Sequence, residues 1–204
     1  YNAIELTKFS PVFYNLRKEY NINKEKKLIG IVGRVERYKG HEDLIFAYSL
    51  LNQEAQNNVQ LIFIGNGDKS EISRLIRIQS SLEIINPFIF TGYLKGESRA
   101  IIEQLDLLCV VTKDFEGFGL TIAEAMSCSV PVLATKVGAI PEFVSNDIAS
   151  LVNPESPYQI SDCLVEFLEN EGIFKKKAKI AKKYIQKFSP ERMVNHFKAI
   201  MREL

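Results

Sequence analysis

Short apolar segments alternate with helical segments along most of this chain, and that alternation is the feature that most constrains its fold. Each apolar segment is four to six residues long, which suits a strand that is buried on both faces of a sheet. Strands that alternate with helices pair in parallel through right-handed crossovers. The sequence therefore predicts an α/β fold with a doubly wound, Rossmann-like parallel sheet of about six strands. The predicted strands are 28–32, 59–64, 88–91, 106–111, 130–134 and 148–152.

Helices are predicted at 42–54, 70–80, 97–104 and 120–127, and the tail 157–204 is predicted to be helical. Phe174, Ala178, Ala181 and Ile185 recur at helical spacing, so this face of the tail should pack against the core. The remainder of that helix is rich in lysine, which favours a solvated face and leaves contact with an anionic membrane surface as the alternative. Its lysines are 175, 176, 177, 179, 182, 183 and 187.

The composition excludes several classes of function. The 204 residues carry a net charge of +1, which gives no overall attraction to nucleic acid. No apolar run approaches the roughly 20 residues of a membrane-spanning helix. Three scattered cysteines (109, 128 and 163) and two histidines distant in sequence indicate reduced thiols and no metal site. We expect a cytoplasmic protein, and because the chain opens without Met we expect a piece of a longer one.

The segment from Asp114 to Glu142 contains the strongest functional signal. Its turn Glu116-Gly117-Phe118-Gly119 leads directly into a predicted helix. The first amides of a helix have no partner within the helix, and the helix dipole adds partial positive charge there. Glycine lets a ligand approach the backbone closely. The segment therefore predicts an anion-binding site.

Two carboxylates, Glu116 and Glu124, lie at the ends of this site. With seven residues between them, they are expected to be on the order of 12 Å apart. That distance exceeds the roughly 5–9.5 Å between the paired carboxylates of glycosidases. The pair is therefore interpreted as two contacts on a long ligand with a phosphate between them.

A basic pair, Arg34 and Lys39, follows the first predicted strand, where open α/β sheets bind ligands. The turn after the second strand contains Gly65 and Gly67. It lacks the third glycine of a dinucleotide fingerprint because Ser70 stands there, which disfavours a Rossmann oxidoreductase.

The motif E-G-F-G-L-T-I-A-E-A-M (116–126) resembles the E-x7-E signature of retaining GT-B glycosyltransferases of family four, the glycosyl transferases group 1. The segment G-R…K-G (33–40) is similar to the diphosphate clamp of that family. The resemblance covers nearly the whole chain but only the C-terminal, donor-binding half of such an enzyme. It implies transfer of a hexose from a nucleotide-diphosphate sugar to a glycan, lipid or small-molecule acceptor.

The resemblance also implies roles for individual residues. Glu116 would contact the donor sugar, Glu124 the ribose hydroxyls, and Arg34 and Lys39 the phosphates; Glu116, Arg34 and Lys39 are the catalytic candidates. The backbone of Leu94, together with Tyr93, would hold the base. The further substrate-binding candidates are Gly33, Gly65, Gly67, Gly117, Phe118, Gly119, Leu120 and Thr121. No metal or other cofactor is expected.

Three residues depart from the family pattern: Lys113 replaces Ser, Ser129 replaces the Gly after the helix, and Ala139 replaces the second Gly of a later pair. Lys113 and Ala139 lie close in sequence to the expected donor site. The alternatives that remain open are a GT-B epimerase or phosphorylase and a non-catalytic nucleotide-sugar-binding module.

The resemblance divides the chain into three parts: an interdomain linker remnant at 1–11, the donor-binding domain at 12–189, and a final helix at 190–204 that would return to an N-terminal domain. The acceptor would bind through that N-terminal domain, and the isolated chain should bind donor without turnover. Peripheral contact with the inner face of the membrane is left open for the full-length protein.

Overall fold

The computed structural model describes residues 3–5, 15–82 and 84–203. Most of the linker predicted at 1–11 and the start of the domain predicted at 12 lie outside these residues. Six parallel strands form one sheet in the order β3-β2-β1-β4-β5-β6, so the predicted α/β architecture is confirmed. The strands are β1 (Lys27–Val32), β2 (Val59–Ile64), β3 (Ile89–Gly92), β4 (Leu107–Val110), β5 (Val132–Thr135) and β6 (Ser150–Val152).

The helices follow the strands as the alternation predicts. They are α1 (Leu16–Glu19), α2 (His41–Ser49), α3 (Gln53–Asn57), α4 (Lys69–Ser81), α5 (Ser98–Ile102), α6 (Leu120–Cys128), α7 (Ile140–Phe143), α8 (Pro157–Glu169), α9 (Glu171–Ile185) and α10 (Pro190–Glu203). The prediction of a single helix at 42–54 is wrong, because the chain forms two helices there, α2 and α3. The side chain of Asn52 accepts a hydrogen bond from the amide of Ala55 and starts α3 as its N-cap.

Both faces of the sheet are covered, as a parallel sheet requires. All six residues of β2 are buried. One core packs α2, α4 and α8 against the sheet, and the other packs α5, α6 and α7. The loops at the carboxyl ends of the strands are therefore held by two packed layers of helices.

Helix α9 connects the two faces. Phe174 packs edge-on against Phe167 of α8 on one face, whereas Ile185 belongs to the core on the other. The predicted buried face of α9 is confirmed, and most of its lysines are exposed. In α10 the apolar side chains are exposed, as expected from the sequence. No helix among the described residues has the length and apolar character that crossing a membrane requires.

Candidate functional site

The strand order creates a crevice between the carboxyl ends of β1 and β4. From β1 the chain continues outward to β2 and β3, and from β4 it continues in the opposite direction to β5 and β6. The loops after β1 and β4 consequently diverge, and ligands of open α/β sheets bind at such a switch point. Arg34 and Lys39 lie in the first loop, and Glu116 lies in the second.

Lys39 and Glu116 meet across this crevice. Lys39 Nζ lies 2.8 Å from Glu116 Oε2, and the two side chains are 23% and 17% exposed. The hydroxyl of Thr112 lies 3.5 Å from the same carboxylate oxygen. The structure thus brings together two residues that were predicted to contact different parts of one ligand.

The backbone around this ion pair is tightly constrained. Gly40, which ends the 3-10 turn Arg37–Lys39, has a φ of 74°, and an added Cβ would collide with the carbonyl of Val111. Gly138 approaches the backbone of Glu116 equally closely, and its φ of 52° also favours glycine. The amide of Ala139 donates to the carbonyl of Glu116 over 3.0 Å. The first contact holds the loop after β1 against the end of β4, and the other two hold the loop after β4 against the loop after β5.

Arg34 occupies the outer part of the crevice. Its guanidinium lies 2.8 Å from Glu36 Oε1, and its side chain is 72% exposed. Tyr38 connects it with Lys39: the Tyr38 hydroxyl lies 3.5 Å from Arg34 Nη2, and Lys39 Nζ lies 5.1 Å from the ring centroid. The two predicted phosphate contacts therefore share Tyr38, a residue to which no sequence motif pointed.

The N-terminus of α6 has the predicted geometry. Gly119 is its N-cap with a φ of 75°, and among the described residues no side-chain cap is found for the first amides of the helix. Gly117 is exposed, and Leu120 is half exposed. Phe118 is buried and stacks on Phe143 with ring centroids 4.8 Å apart, so its side chain belongs to the core and only its backbone can serve a ligand.

Thr121 lies on the first turn of α6, and Glu124 lies on the second. The carboxylate of Glu124 is held by α5. Ser98 Oγ donates a hydrogen bond to Glu124 Oε1 over 2.5 Å. Burial raises the pKa of Glu124, while the Ser98 hydrogen bond and the nearby charge of Arg99 lower it. Arg99 is buried and donates to the carbonyl of Glu5 over 2.7 Å. Ser98 and Arg99 had no motif that pointed to them.

The loops after β2 and β3 border the crevice next to β1. Gly65 packs so closely on Gly33, and Gly67 on Val35, that a Cβ at either position of the second loop would collide with the first. The side chain of Asn66 accepts a hydrogen bond from the amide of Tyr93 over 3.0 Å. This contact holds the segment of Tyr93 and Leu94, the predicted base-binding residues; the side chain of Tyr93 is exposed.

Lys113 is paired with the first turn of α2. Its ammonium lies 2.9 Å from Asp43 Oδ1 and 4.0 Å from Glu42 Oε2, both in α2. Its amide donates to the carbonyl of Tyr38. Lys113 therefore joins the loops after β1 and β4. Within the described ranges, no cluster of three or more histidine, cysteine or acidic side chains could hold a metal ion.

Comparison with solved structures identifies the class of protein. The chain superposes on Anabaena HepE, solved in complex with UDP-glucose, with a TM-score of 0.82 and 22% identity over 93% of this chain and 52% of HepE. It matches the C-terminal domain of the glycosyl transferase group 1 family protein LpcC from Francisella tularensis with a TM-score of 0.75 and 25% identity, over 92% of this chain and 99% of that domain. The fold is that of the C-terminal half of a GT-B glycosyltransferase.

The sequence pattern of the family "Glycosyl transferases group 1" matches residues 12–188, and the chain belongs to that family, as the motifs predicted. Among curated relatives, N-acetyl-alpha-D-glucosaminyl L-malate synthase of Bacillus anthracis is 26% identical over 98% of this chain and 52% of its own length. The serotype-specific mannosyltransferase WbdA of Escherichia coli is 28% identical over 79% of this chain and 20% of its own length. The chain thus spans about half the length of the first of these relatives and about a fifth of the length of the second.

Proposed function

We propose that this chain is the donor-binding domain of a retaining glycosyltransferase that moves a hexose from a nucleotide-diphosphate sugar to a glycan, lipid or small-molecule acceptor. Family membership supports the transferase, and the complex of HepE with UDP-glucose supports a donor of this kind. The domain extends over 12–189. The helix predicted at 190–204, whose apolar side chains are exposed within the described range of α10, packs on an N-terminal domain that binds the acceptor.

The observation that carries the proposal is the meeting of Lys39 and Glu116 beside the uncapped N-terminus of α6. A cation, free helix amides and a carboxylate within one crevice match the diphosphate and the sugar hydroxyls of a nucleotide-sugar. Glu124 lies farther along α6, where its carboxylate can accept hydrogen bonds from the two ribose hydroxyls.

In the proposed reaction, the bond between the anomeric carbon and the diphosphate oxygen breaks, and negative charge grows on the diphosphate. Lys39, Arg34 and the amides at the start of α6 stabilise that charge, so no metal ion is required. Positive charge grows on the sugar ring near Glu116. The acceptor oxygen attacks from the face that the leaving group vacates, and its proton passes to a phosphate oxygen, so the anomeric configuration is retained.

A thermal-shift screen with UDP-, GDP- and ADP-sugars tests the proposal, because a ligand of the native state raises its melting temperature. The best ligand is then titrated by calorimetry into the wild type and Glu124→Ala. The variant should lose about 1.5–3 kcal/mol of binding free energy for the nucleotide-sugar and for its nucleoside diphosphate alike. Glu103→Ala, an exposed glutamate just beyond α5, is the matched control and should bind as the wild type does. A chain that none of these ligands stabilises would refute the proposal.

A further inference from the structure

The Lys39–Glu116 ion pair joins two side chains to which the proposed function gives different partners. Lys39 would face the diphosphate, and Glu116 would face a sugar hydroxyl. In the ligand-free chain the two are instead 2.8 Å apart, so the ammonium that the diphosphate needs is already held by a carboxylate. Because an ammonium has three N–H groups, a diphosphate competes with Glu116 for the N–H group and the positive charge that the carboxylate now holds, not for the whole of Lys39.

This ion pair differs from an ordinary surface contact. Both side chains are less than a quarter exposed, so water and salt screen the pair less than they screen an exposed one. The close approaches of Gly40 to Val111 and of Gly138 to Glu116 hold the two loops in place. The loop backbones therefore do not have to become ordered when the pair forms, and the pair should re-form whenever its ligand partners leave.

The competition affects two ligands differently. A nucleotide-sugar that displaces Glu116 from Lys39 brings sugar hydroxyls, which can donate to the released carboxylate. A free nucleoside diphosphate brings no such group, so Glu116 would be left partly buried with only the Thr112 hydroxyl at 3.5 Å beside it, which is costly for a carboxylate. Arg34 offers limited compensation, since it is paired with Glu36 and largely exposed.

We propose, on the basis of the function proposed above, that Glu116 is a specificity-determining residue: it makes the site prefer nucleotide-sugar over free nucleoside diphosphate by competing with the diphosphate for Lys39. After sugar transfer, the product has lost the hydroxyls that engaged Glu116. The carboxylate then returns to Lys39, which weakens the hold on the product and favours its release.

The test is calorimetric titration of the wild type and Glu116→Gln with UDP and UDP-glucose, and with GDP and GDP-mannose as a second pair. Because Glu116→Gln frees Lys39, the variant should bind the free diphosphate about 3- to 10-fold more tightly than the wild type does. Its preference for the nucleotide-sugar should fall by at least the same factor. Unchanged or weaker binding of the diphosphate by the variant would overturn the proposal.

Two controls separate competition for Lys39 from general relief of charge repulsion. Asp114→Asn removes the same charge from the same loop at an exposed residue, for which no ion pair is found within the described part of the chain, and should change affinity less than about twofold. In a Lys39→Met background, Glu116→Gln should likewise have little effect, because the two changes are coupled only through their contact. A gain that persists without Lys39 would show general repulsion and overturn the proposal.

These outcomes are distinguishable from failure of the proposed function. If the wild type binds neither pair of ligands, the titrations are repeated with ADP and ADP-glucose; if it binds none of the three pairs, the donor-binding function and the inference built on it both fall. If the wild type binds and only the response to Glu116→Gln is wrong, the function stands and the inference alone falls. Circular dichroism of each variant at the titration temperature shows whether it is folded.

Discussion

His41, the first residue of α2, is only 2% exposed, and neither ring nitrogen has a hydrogen-bond partner within the described part of the chain. Its ring packs edge-on against Phe63 at 5.0 Å between centroids. Burial lowers the pKa of His41 from 6.5 to about 4. The ring is therefore neutral in the folded state near neutral pH. In sequence, His41 directly follows Lys39 and Gly40 of the site.

This lowered pKa predicts a loss of stability in mild acid. Between pH 6.5 and about pH 4 the unfolded chain protonates His41 and the folded chain does not, so the free energy of unfolding falls as the pH falls. Protonation of His41 in the unfolded chain should cost the wild type about 2 kcal/mol of unfolding free energy between about pH 7 and about pH 5. The His41→Phe variant should not show this part of the loss. Urea unfolding at the two pH values measures this loss.

His196→Gln is the matched control for that experiment. His196 is exposed on α10, so its substitution should leave the pH dependence of unfolding as in the wild type. A His41→Phe variant that keeps the full pH dependence would show that other groups cause it.

Ser129, at the end of α6, is one of the residues at which the sequence departs from the family pattern. It stands where the family pattern has glycine, and it adopts a φ of 60°, in the left-handed region. This conformation costs a non-glycine residue roughly 1 kcal/mol.

At the scale of elements, α5 positions a side chain of α6. Ser98 is the first residue of α5, and its hydroxyl holds the carboxylate of Glu124. Burial raises the pKa of Glu124, and the Ser98 hydrogen bond and Arg99 oppose that effect. Ser98 therefore favours the ionised carboxylate, which is the form that can accept two ribose hydroxyls.

Ser98→Ala should accordingly weaken nucleoside diphosphate binding by about 1 kcal/mol near neutral pH. It should also raise the pH below which binding is lost, because the pKa of Glu124 increases when its donor is removed. Calorimetric titration with UDP over a series of pH values measures both effects. Ser98→Thr retains the hydroxyl and should restore the wild-type profile; a purely structural role for Ser98 would change affinity without moving the pH midpoint.

The elements themselves were largely predictable from the sequence because their pattern is local. A strand buried on both faces must be a continuous apolar run, and all six predicted strands exist. The prediction missed the helix boundary at Asn52. Residues 53–57 favour a helix whether it continues α2 or starts anew, and the Asn52 cap marks the start of a separate helix, α3. Local pattern gives the existence of an element more securely than its ends.

The candidate site was predictable as a set of residues but not as a set of contacts. Glycine turns and charges at strand ends indicated Arg34, Lys39, Glu116 and Glu124. The pairing of Lys39 with Glu116 joins residues 77 positions apart and depends on two loop conformations. Sequence spacing carries no information about such a contact. For the same reason, the sequence did not indicate the pairing of Lys113 with Asp43.

At the scale of the whole molecule, charge acts locally. The net charge is +1 because 26 basic residues nearly balance 25 acidic ones, so the protein as a whole exerts little attraction on an anionic nucleotide. Attraction must come from the crevice, where Lys39, Arg34 and the free amides of α6 converge. These groups lie in the loops after β1 and β4, and the packed helices on both faces of the sheet hold those loops.

This arrangement predicts that nucleotide binding does not depend on a metal ion. The two cations balance the roughly two negative charges of a nucleoside diphosphate ester, so titration with UDP-glucose in EDTA should give the same affinity as titration in Mg²⁺. In Lys39→Met one of these cations is lost, and Mg²⁺ should then strengthen binding because it supplies the missing positive charge. If the wild type loses more than about tenfold in affinity in EDTA, and Mg²⁺ restores it, the protein cations are insufficient and the metal-independent mechanism is wrong.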